Sequence, residues 1–349
     1  MLTPPNMAAA RIHGVGDVRY EVVPRPVPGP GEVLLQVAAV GLCGSDHHYY
    51  REGGIGTARI TQPLILGHEY SAWVADEGGV GRGLPPGTLV AVDPATPCGQ
   101  CEWCRRDHRN LCPHVHFAGS PPAFAGALAE FAVARAELLH AVPTGLSPAA
   151  AALLEPLGVA LHAVDLAHLK LAETVAILGA GPIGLLVMQV ARLSGAGEVY
   201  VVDPLPGRAA TAGRMGADAW ATSFEPIAEW TGGRGVDVVI EATDSAAAPD
   251  HATRAVRIGG RVILAGIPEG EEFSLSASVV RRKGLSLKMV RRMGHVYPRA
   301  IFLASRGKVA LEPLISHRLP LHEVPQALAM AASHREETLK MVVELAGRI

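Results

Sequence analysis

The stretch that decides the fold runs from Thr174 to Asp203 and reads TVAILGAGPIGLLVMQVARLSGAGEVYVVD. Val175 to Leu178 is an apolar run long enough for one buried strand. Gly179-Ala180-Gly181-Pro182-Ile183-Gly184 follows at once. Leu185 to Leu193 is apolar enough for a buried helix, and Gly195 and Gly197 stop it. Glu198 to Val202 is a second apolar run, with Asp203 at its end. Strand, glycine turn, helix, strand and acid in this order form the pattern of a dinucleotide-binding unit. Gly179 permits the tight turn, Gly181 lets a pyrophosphate approach the backbone, and Gly184 lets the helix pack closely on the sheet. The helix N-terminus offers its N–H groups and the positive end of its dipole to phosphates. Asp203 stands 19 residues beyond Gly184. A carboxylate there accepts from the adenosine ribose hydroxyls and repels a 2′-phosphate, so NAD is expected rather than NADP.

The chain around this unit has 349 residues, enough for two domains with sizeable cores. Hydrophobic residues make up 49% and aromatics 5%, so Ala, Val and Leu must fill the interior. A net charge of −2 without a long basic block argues against nucleic acid as a partner. The first residues lack a basic segment followed by an apolar one, and no uncharged apolar run reaches about 18 residues. A soluble, cytoplasmic protein with no membrane partner is therefore expected.

The chain has five cysteines, Cys43, Cys98, Cys101, Cys104 and Cys112, and four of them fall within 15 residues. In a cytosolic enzyme such clustering reads as metal binding before disulfides. Four thiolates at this spacing can close a tetrahedral zinc site, and an iron–sulfur cluster takes the same ligands. Cys43 lies in a second polar set, Gly41-Leu42-Cys43-Gly44-Ser45-Asp46-His47-His48-Tyr49-Tyr50, directly after the apolar run from Glu32 to Val40. Gly67-His68-Glu69-Tyr70 follows some twenty residues later. A Cys, a His and a Glu can supply the three protein ligands of a catalytic zinc with one open position. Further on, Ser147-Pro148 starts a helix well, with Ser147 as cap. Glu155 then interrupts an apolar stretch, and a carboxylate there needs a partner.

Taken together, these segments resemble the zinc-dependent medium-chain dehydrogenases, most closely their sorbitol (polyol) type. The likeness rests on Gly41 to His48, on Gly67-His68-Glu69 and on the Cys98 to Cys112 lobe, and it covers essentially the whole chain. It implies an α/β fold made of a β-rich GroES-like catalytic domain and a Rossmann domain with a doubly wound parallel sheet. The catalytic domain is expected over 1–150, with a structural-zinc lobe at about 95–113. The Rossmann domain is expected over 151–285, and the chain returns to the catalytic domain over 286–349. By resemblance, Cys43, His68 and Glu69 bind a catalytic zinc, with Glu155 either the alternative ligand or the group that holds water or substrate. Cys98, Cys101, Cys104 and Cys112 bind a structural zinc. Ser45 and His48 relay the alcohol proton outward, and Asp46 supports the site from behind its ligands. Gly179, Gly181, Pro182, Ile183, Gly184, Asp203 and Arg208 hold the adenosine diphosphate half of NAD, while Ala265, Gly266 and Ile267 approach its nicotinamide.

The implied reaction is oxidation of an alcohol, with zinc lowering the hydroxyl pKa and a hydride passing to the nicotinamide. Tyr49, Glu155 and Arg292, with the insert Arg51 to Gly56, favour sorbitol, xylitol or iditol as substrate. Ser120-Pro-Pro-Ala-Phe-Ala-Gly-Ala is more apolar than the usual polyol-enzyme loop, which keeps 2,3-butanediol and threonine open. A non-catalytic relative would normally show a broken ligand set, and the set here is intact. Family members of bacterial type are often tetramers, so a homo-tetramer is expected.

Overall fold

The computed structural model describes residues 5–75, 83–121, 124–270, 272–333, 336 and 338–345. Pro122 and Ala123 of the apolar loop, and the first four residues, lie outside them. The chain divides into two compact units. The first comprises Met1–Glu155 with Tyr297–Ile349, and the second Pro156–Val296. The return falls later than position 286 because Ser286–Met289 is not yet leaving. It pairs in parallel with Val256–Leu264 as the last strand of the second unit's sheet.

The first unit is built on a seven-stranded sheet. Its central strand, Glu32–Gly41, pairs along one edge with Glu69–Val74. Along the other edge it pairs first with Phe131–Arg135 and then with Lys340–Glu344. A register shift between Val37 and Ala39 accompanies this change of partner. Inward side chains such as Leu35, Val37, Val40, Tyr70, Val90 and Val343 form one buried cluster. The consequence for function lies in the register. Gly41 is paired with Glu69 on one side and with Val342 on the other. Residues far apart in sequence therefore meet at one end of this sheet.

The second unit is a six-stranded parallel sheet. Its strands run in the spatial order Ala219–Ala221, Glu198–Val202, Thr174–Leu178, Val236–Glu241, Val256–Leu264, Ser286–Met289. Numbered within the unit this is 3-2-1-4-5-6, the doubly wound order, whose strand sequence reverses beside Thr174–Leu178. Val175 to Leu178 and Val236 to Glu241 are wholly buried, as strands covered on both faces must be. The helix after the glycine turn runs Pro182–Leu193. A Cβ on Gly184 would lie 1.8 Å from the Gly179 carbonyl oxygen, so only glycine lets the helix start there.

Two local features go beyond the sequence reading. The polar run after Gly41 is a helix, Gly44–Glu52, capped by a reciprocal Cys43–Asp46 box and closed by Gly53 at φ 71°. Glu155, the charge that interrupts an apolar stretch in the sequence, lies in the first turn of a helix. Pro148–Ala152 and Leu154–Ala167 follow one another, and Ser147 Oγ accepts from Ala150 N–H at 3.0 Å. By length and composition this span could cross a membrane, but 78% of its window is buried inside the protein, as in a core helix.

Candidate active site

At the end of the first unit's sheet, the ligand atoms of Cys43, His68 and Glu69 all lie within 4.8 Å of one another. Cys43 is the residue before the helix Gly44–Glu52. Glu69 opens its strand opposite Gly41, where a Cβ would lie 2.3 Å from Glu69 Oε2. Glycine at 41 is what makes room for the carboxylate. Ser45 donates a side-chain hydrogen bond to Cys43. Burial, and next the Glu69 charge, push the Cys43 thiol up to about 12.

Asp46 is fully buried, and burial raises its carboxyl against the opposing charge of His68. Its Oδ2 accepts from Cys43 N–H at 2.9 Å, while Oδ1 has no hydrogen-bond partner and lies 4.0 Å from His68 Nδ1. At that distance the carboxylate is a charge near the imidazole and not a hydrogen-bond partner of its ring. One soft sulfur, one imidazole and one carboxylate, with an unspent carboxylate oxygen behind the imidazole, fit a zinc ion. The Phe117 ring lies 5.2 Å from that of His68 and supplies an apolar neighbour.

Glu155 is 6% exposed and stands outside that three-atom cluster, though close enough to feel it. Burial pushes its carboxyl up to about 8, with His68 opposing and Glu69 and Cys43 reinforcing the rise. Lys340 is a participant the sequence reading missed. Its Nζ is buried and donates to Glu69 Oε1 at 2.8 Å, Glu69 Oε2 at 2.7 Å and the Leu42 carbonyl at 3.0 Å. Burial works against its charge, but Glu69 more than compensates and holds the ammonium above its ordinary range. A lysine opening the strand Lys340–Glu344, directly before the apolar run Met341 to Val343, was the available signal.

Among the residues assigned to substrate, Tyr49 packs into the hydrophobic cluster and is 6% exposed. Its environment is that of a core residue. Arg292, in the second unit, has φ 53°, a left-handed conformation that a non-glycine residue adopts only at a cost.

The four-cysteine lobe also belongs to the first unit. The sulfur atoms of Cys98, Cys101, Cys104 and Cys112 lie within 4.8 Å of one another and form no disulfide. The Cys101–Cys104, Cys101–Cys112 and Cys98–Cys104 sulfur separations are 3.4, 3.9 and 4.0 Å. Tetrahedral zinc with sulfur at ~2.3 Å needs sulfur–sulfur separations of about 3.8 Å. Cys104 N–H and Cys98 N–H each donate to a cysteine sulfur at 3.4 Å, which orients the thiolates.

In the second unit Asp203 is buried at the end of its strand. Its Oδ2 accepts from Ala180 N–H at 2.8 Å and its Oδ1 from Leu205 N–H at 2.9 Å. The acid therefore fixes the glycine turn as well as standing beside it. Around a Cβ built on Gly181 the nearest group is Arg208 Nη1, at 3.9 Å. The backbone there stays open to a pyrophosphate beside a guanidinium, which fits a dinucleotide. Ala265 to Ile267 leave the strand Val256–Leu264 next to Glu241, a second group the sequence reading left without a role. The buried Glu241 carboxylate accepts from Thr243 N–H at 2.6 Å and Gly266 N–H at 3.3 Å, and so ties two strand-end loops together.

Comparison with known proteins agrees with this geometry. Residues 29–144 match the alcohol dehydrogenase GroES-like domain, and residues 182–306 match the zinc-binding dehydrogenase domain. The chain is similar to sorbitol dehydrogenase of Bacillus subtilis (strain 168), at 35% identity over 97% of this chain and 98% of that protein. Its fold is similar to an Escherichia coli oxidoreductase/dehydrogenase of unknown specificity, with TM-score 0.92 and 28% identity over 98% and 100% of the two chains. It is also similar to 2R,3R-butanediol dehydrogenase from Bacillus subtilis, with TM-score 0.86 and 29% identity over 97% and 99%.

Proposed function

The chain belongs to the zinc-dependent medium-chain dehydrogenases, which combine a GroES-like and a zinc-binding dehydrogenase domain, and we propose that within this family it oxidises a secondary hydroxyl of a sugar polyol of the sorbitol, xylitol or iditol type. It is an oxidoreductase that uses zinc and NAD. The observation that carries the substrate reading is its end-to-end likeness to sorbitol dehydrogenase, joined to an intact Cys43, His68 and Glu69 set.

Zinc, when bound, supplies a Lewis acid that lowers the pKa of the alcohol. Cys43, His68 and Glu69 are its ligands in this reading, with the buried Asp46 carboxylate near the His68 ring. Lys340 balances the Glu69 charge. Glu155, outside the three-atom cluster, is left to hold water or a substrate hydroxyl. Ser45 and His48 move the alcohol proton outward. Cys98, Cys101, Cys104 and Cys112 hold the second zinc, which carries no chemistry and ties down its loop. Gly179 to Gly184, Asp203 and Arg208 bind the adenosine diphosphate part of NAD, and Ala265 to Ile267 the nicotinamide end. Arg292 offers a guanidinium for polyol hydroxyls, and its strained backbone supports a role beyond packing.

A second reading is supported by the likeness to butanediol dehydrogenase and by the apolar Phe117 beside His68. In it the same chemistry acts on a smaller secondary alcohol. Comparing kcat/KM for sorbitol and 2,3-butanediol separates the two. Higher efficiency on butanediol would remove the polyol reading and keep the mechanism. The five free cysteines suit a reducing compartment, so the cytoplasm is proposed, and the assembly is a homo-tetramer, checked by light scattering on zinc-loaded protein.

A further inference from the structure

His48 Nδ1 lies 2.9 Å from Glu52 Oε1, four residues along the same face of the helix Gly44–Glu52. The histidine is 8% exposed, so water competes little for its ring. The placement of Glu52 is built from several sides. It is the last residue of its helix, followed by the left-handed Gly53, whose N–H donates to the Tyr49 carbonyl at 3.0 Å. Its own carbonyl accepts from Arg59 Nη1 at 3.0 Å. The Glu52 side chain is 35% exposed, and its carboxylate meets the buried His48 ring.

A carboxylate oxygen only accepts, so Nδ1 must carry the hydrogen in this pair, and the neutral ring presents Nε2 as its acceptor. We propose that Glu52 is a positioning residue for His48, fixing its Nδ1–H tautomer and ring orientation so that Nε2 receives the proton passed along from the alcohol. This inference rests on the relay reading of Ser45 and His48. One proton arrives at Nε2, the carboxylate stays beside the imidazolium, and one proton then leaves to water. Neither residue gains or loses electrons, because the hydride goes to NAD. The bland alternative is an i, i+4 pair that only supports the helix. Such a pair would move thermal stability and leave turnover alone.

The test uses the zinc-loaded full chain with sorbitol, or with 2,3-butanediol if that is the alcohol turned over. Nitrogen-15 NMR reads the His48 tautomer, assigned by loss of its signals in His48→Gln. Steady-state kinetics are measured for Glu52→Ala, His48→Gln and the double variant, with zinc content checked in each. The expected result is an Nδ1–H tautomer in the unaltered protein that is lost in Glu52→Ala. With it, kcat falls about tenfold at unchanged KM for NAD, and the double variant is no slower than His48→Gln alone. Glu52→Gln, which keeps the shape and one acceptor oxygen, guards against a folding loss and should retain the tautomer. An Nε2–H tautomer in the unaltered protein overturns the proposal. So does a Glu52→Ala kcat within twofold of normal while His48→Gln is slow, and that outcome leaves the relay standing. If His48→Gln itself turns over normally, the relay reading fails and the positioning role falls with it.

Discussion

Lys340 and Glu69 face each other at 2.7 Å with side-chain exposures of 4% and 1%. Removing one partner of a buried pair costs ~3–5 kcal/mol, because the other charge is left uncompensated. Lys340→Met is expected to destabilise zinc-depleted protein by about that amount, and zinc-loaded protein by less, since a bound cation can compensate Glu69. Calorimetry with and without a chelator checks this, and equal losses in both states would refute it. Arg292 makes the opposite trade. Its left-handed backbone costs ~1 kcal/mol or more as a non-glycine residue. Arg292→Gly should therefore leave the melting temperature unchanged or raise it, while polyol kcat/KM falls at least about tenfold. Cys43, His68 and Glu69 were legible because each sits in a recognisable local sequence. Lys340 was not, because it meets Glu69 across 271 residues, through pairing set by the register of three strands.

The strand–turn–helix at Thr174 was legible because its apolar runs and glycines are contiguous and each has one physical solution. The helix Gly44–Glu52 was hidden for the reverse reason. Its sequence GSDHHYYRE has no apolar period, and it is held by the Cys43–Asp46 box and the Gly53 cap. Asp237 shows how an element is pinned. Burial raises its pKa, but hydrogen bonds from Arg234, Arg257 and Thr174 outweigh burial and hold it below the usual range. A depressed carboxyl stabilises the fold above its unfolded pKa, near 3.8, and loses that contribution as pH falls below it. Asp237→Asn should cost about 1–3 kcal/mol at pH 7 in denaturant unfolding, with the gap closing near pH 3 and below. In the cysteine lobe, Cys101→Ser should release about one zinc per chain and lower thermal stability. Full stability after that loss would mean the lobe does not depend on its metal.

At the scale of the molecule, the length left room for two domains and the resemblance implied a doubly wound parallel sheet, while the order 3-2-1-4-5-6 is seen only in the assembled unit. The boundaries were less legible. Whether Ser286–Met289 belongs to the parallel sheet is decided by its pairing with Arg261 to Leu264, which no local pattern announces. Cofactor choice is also a property of the assembled unit. Asp203 both braces the glycine turn and stands where the ribose is expected. Asp203→Ser should reduce the preference for NAD over NADP, read as the ratio of the two kcat/KM values. An unchanged ratio would move ribose recognition elsewhere.

The most direct test of the account is NADH formation by zinc-loaded protein against sorbitol, xylitol, 2,3-butanediol, threonine and a primary alcohol, each with and without a zinc chelator. The account predicts NADH from the polyols, abolished when the catalytic zinc is removed and restored when zinc is returned. Turnover that survives complete loss of zinc, or no NADH from any of these alcohols in zinc-replete protein, would contradict it.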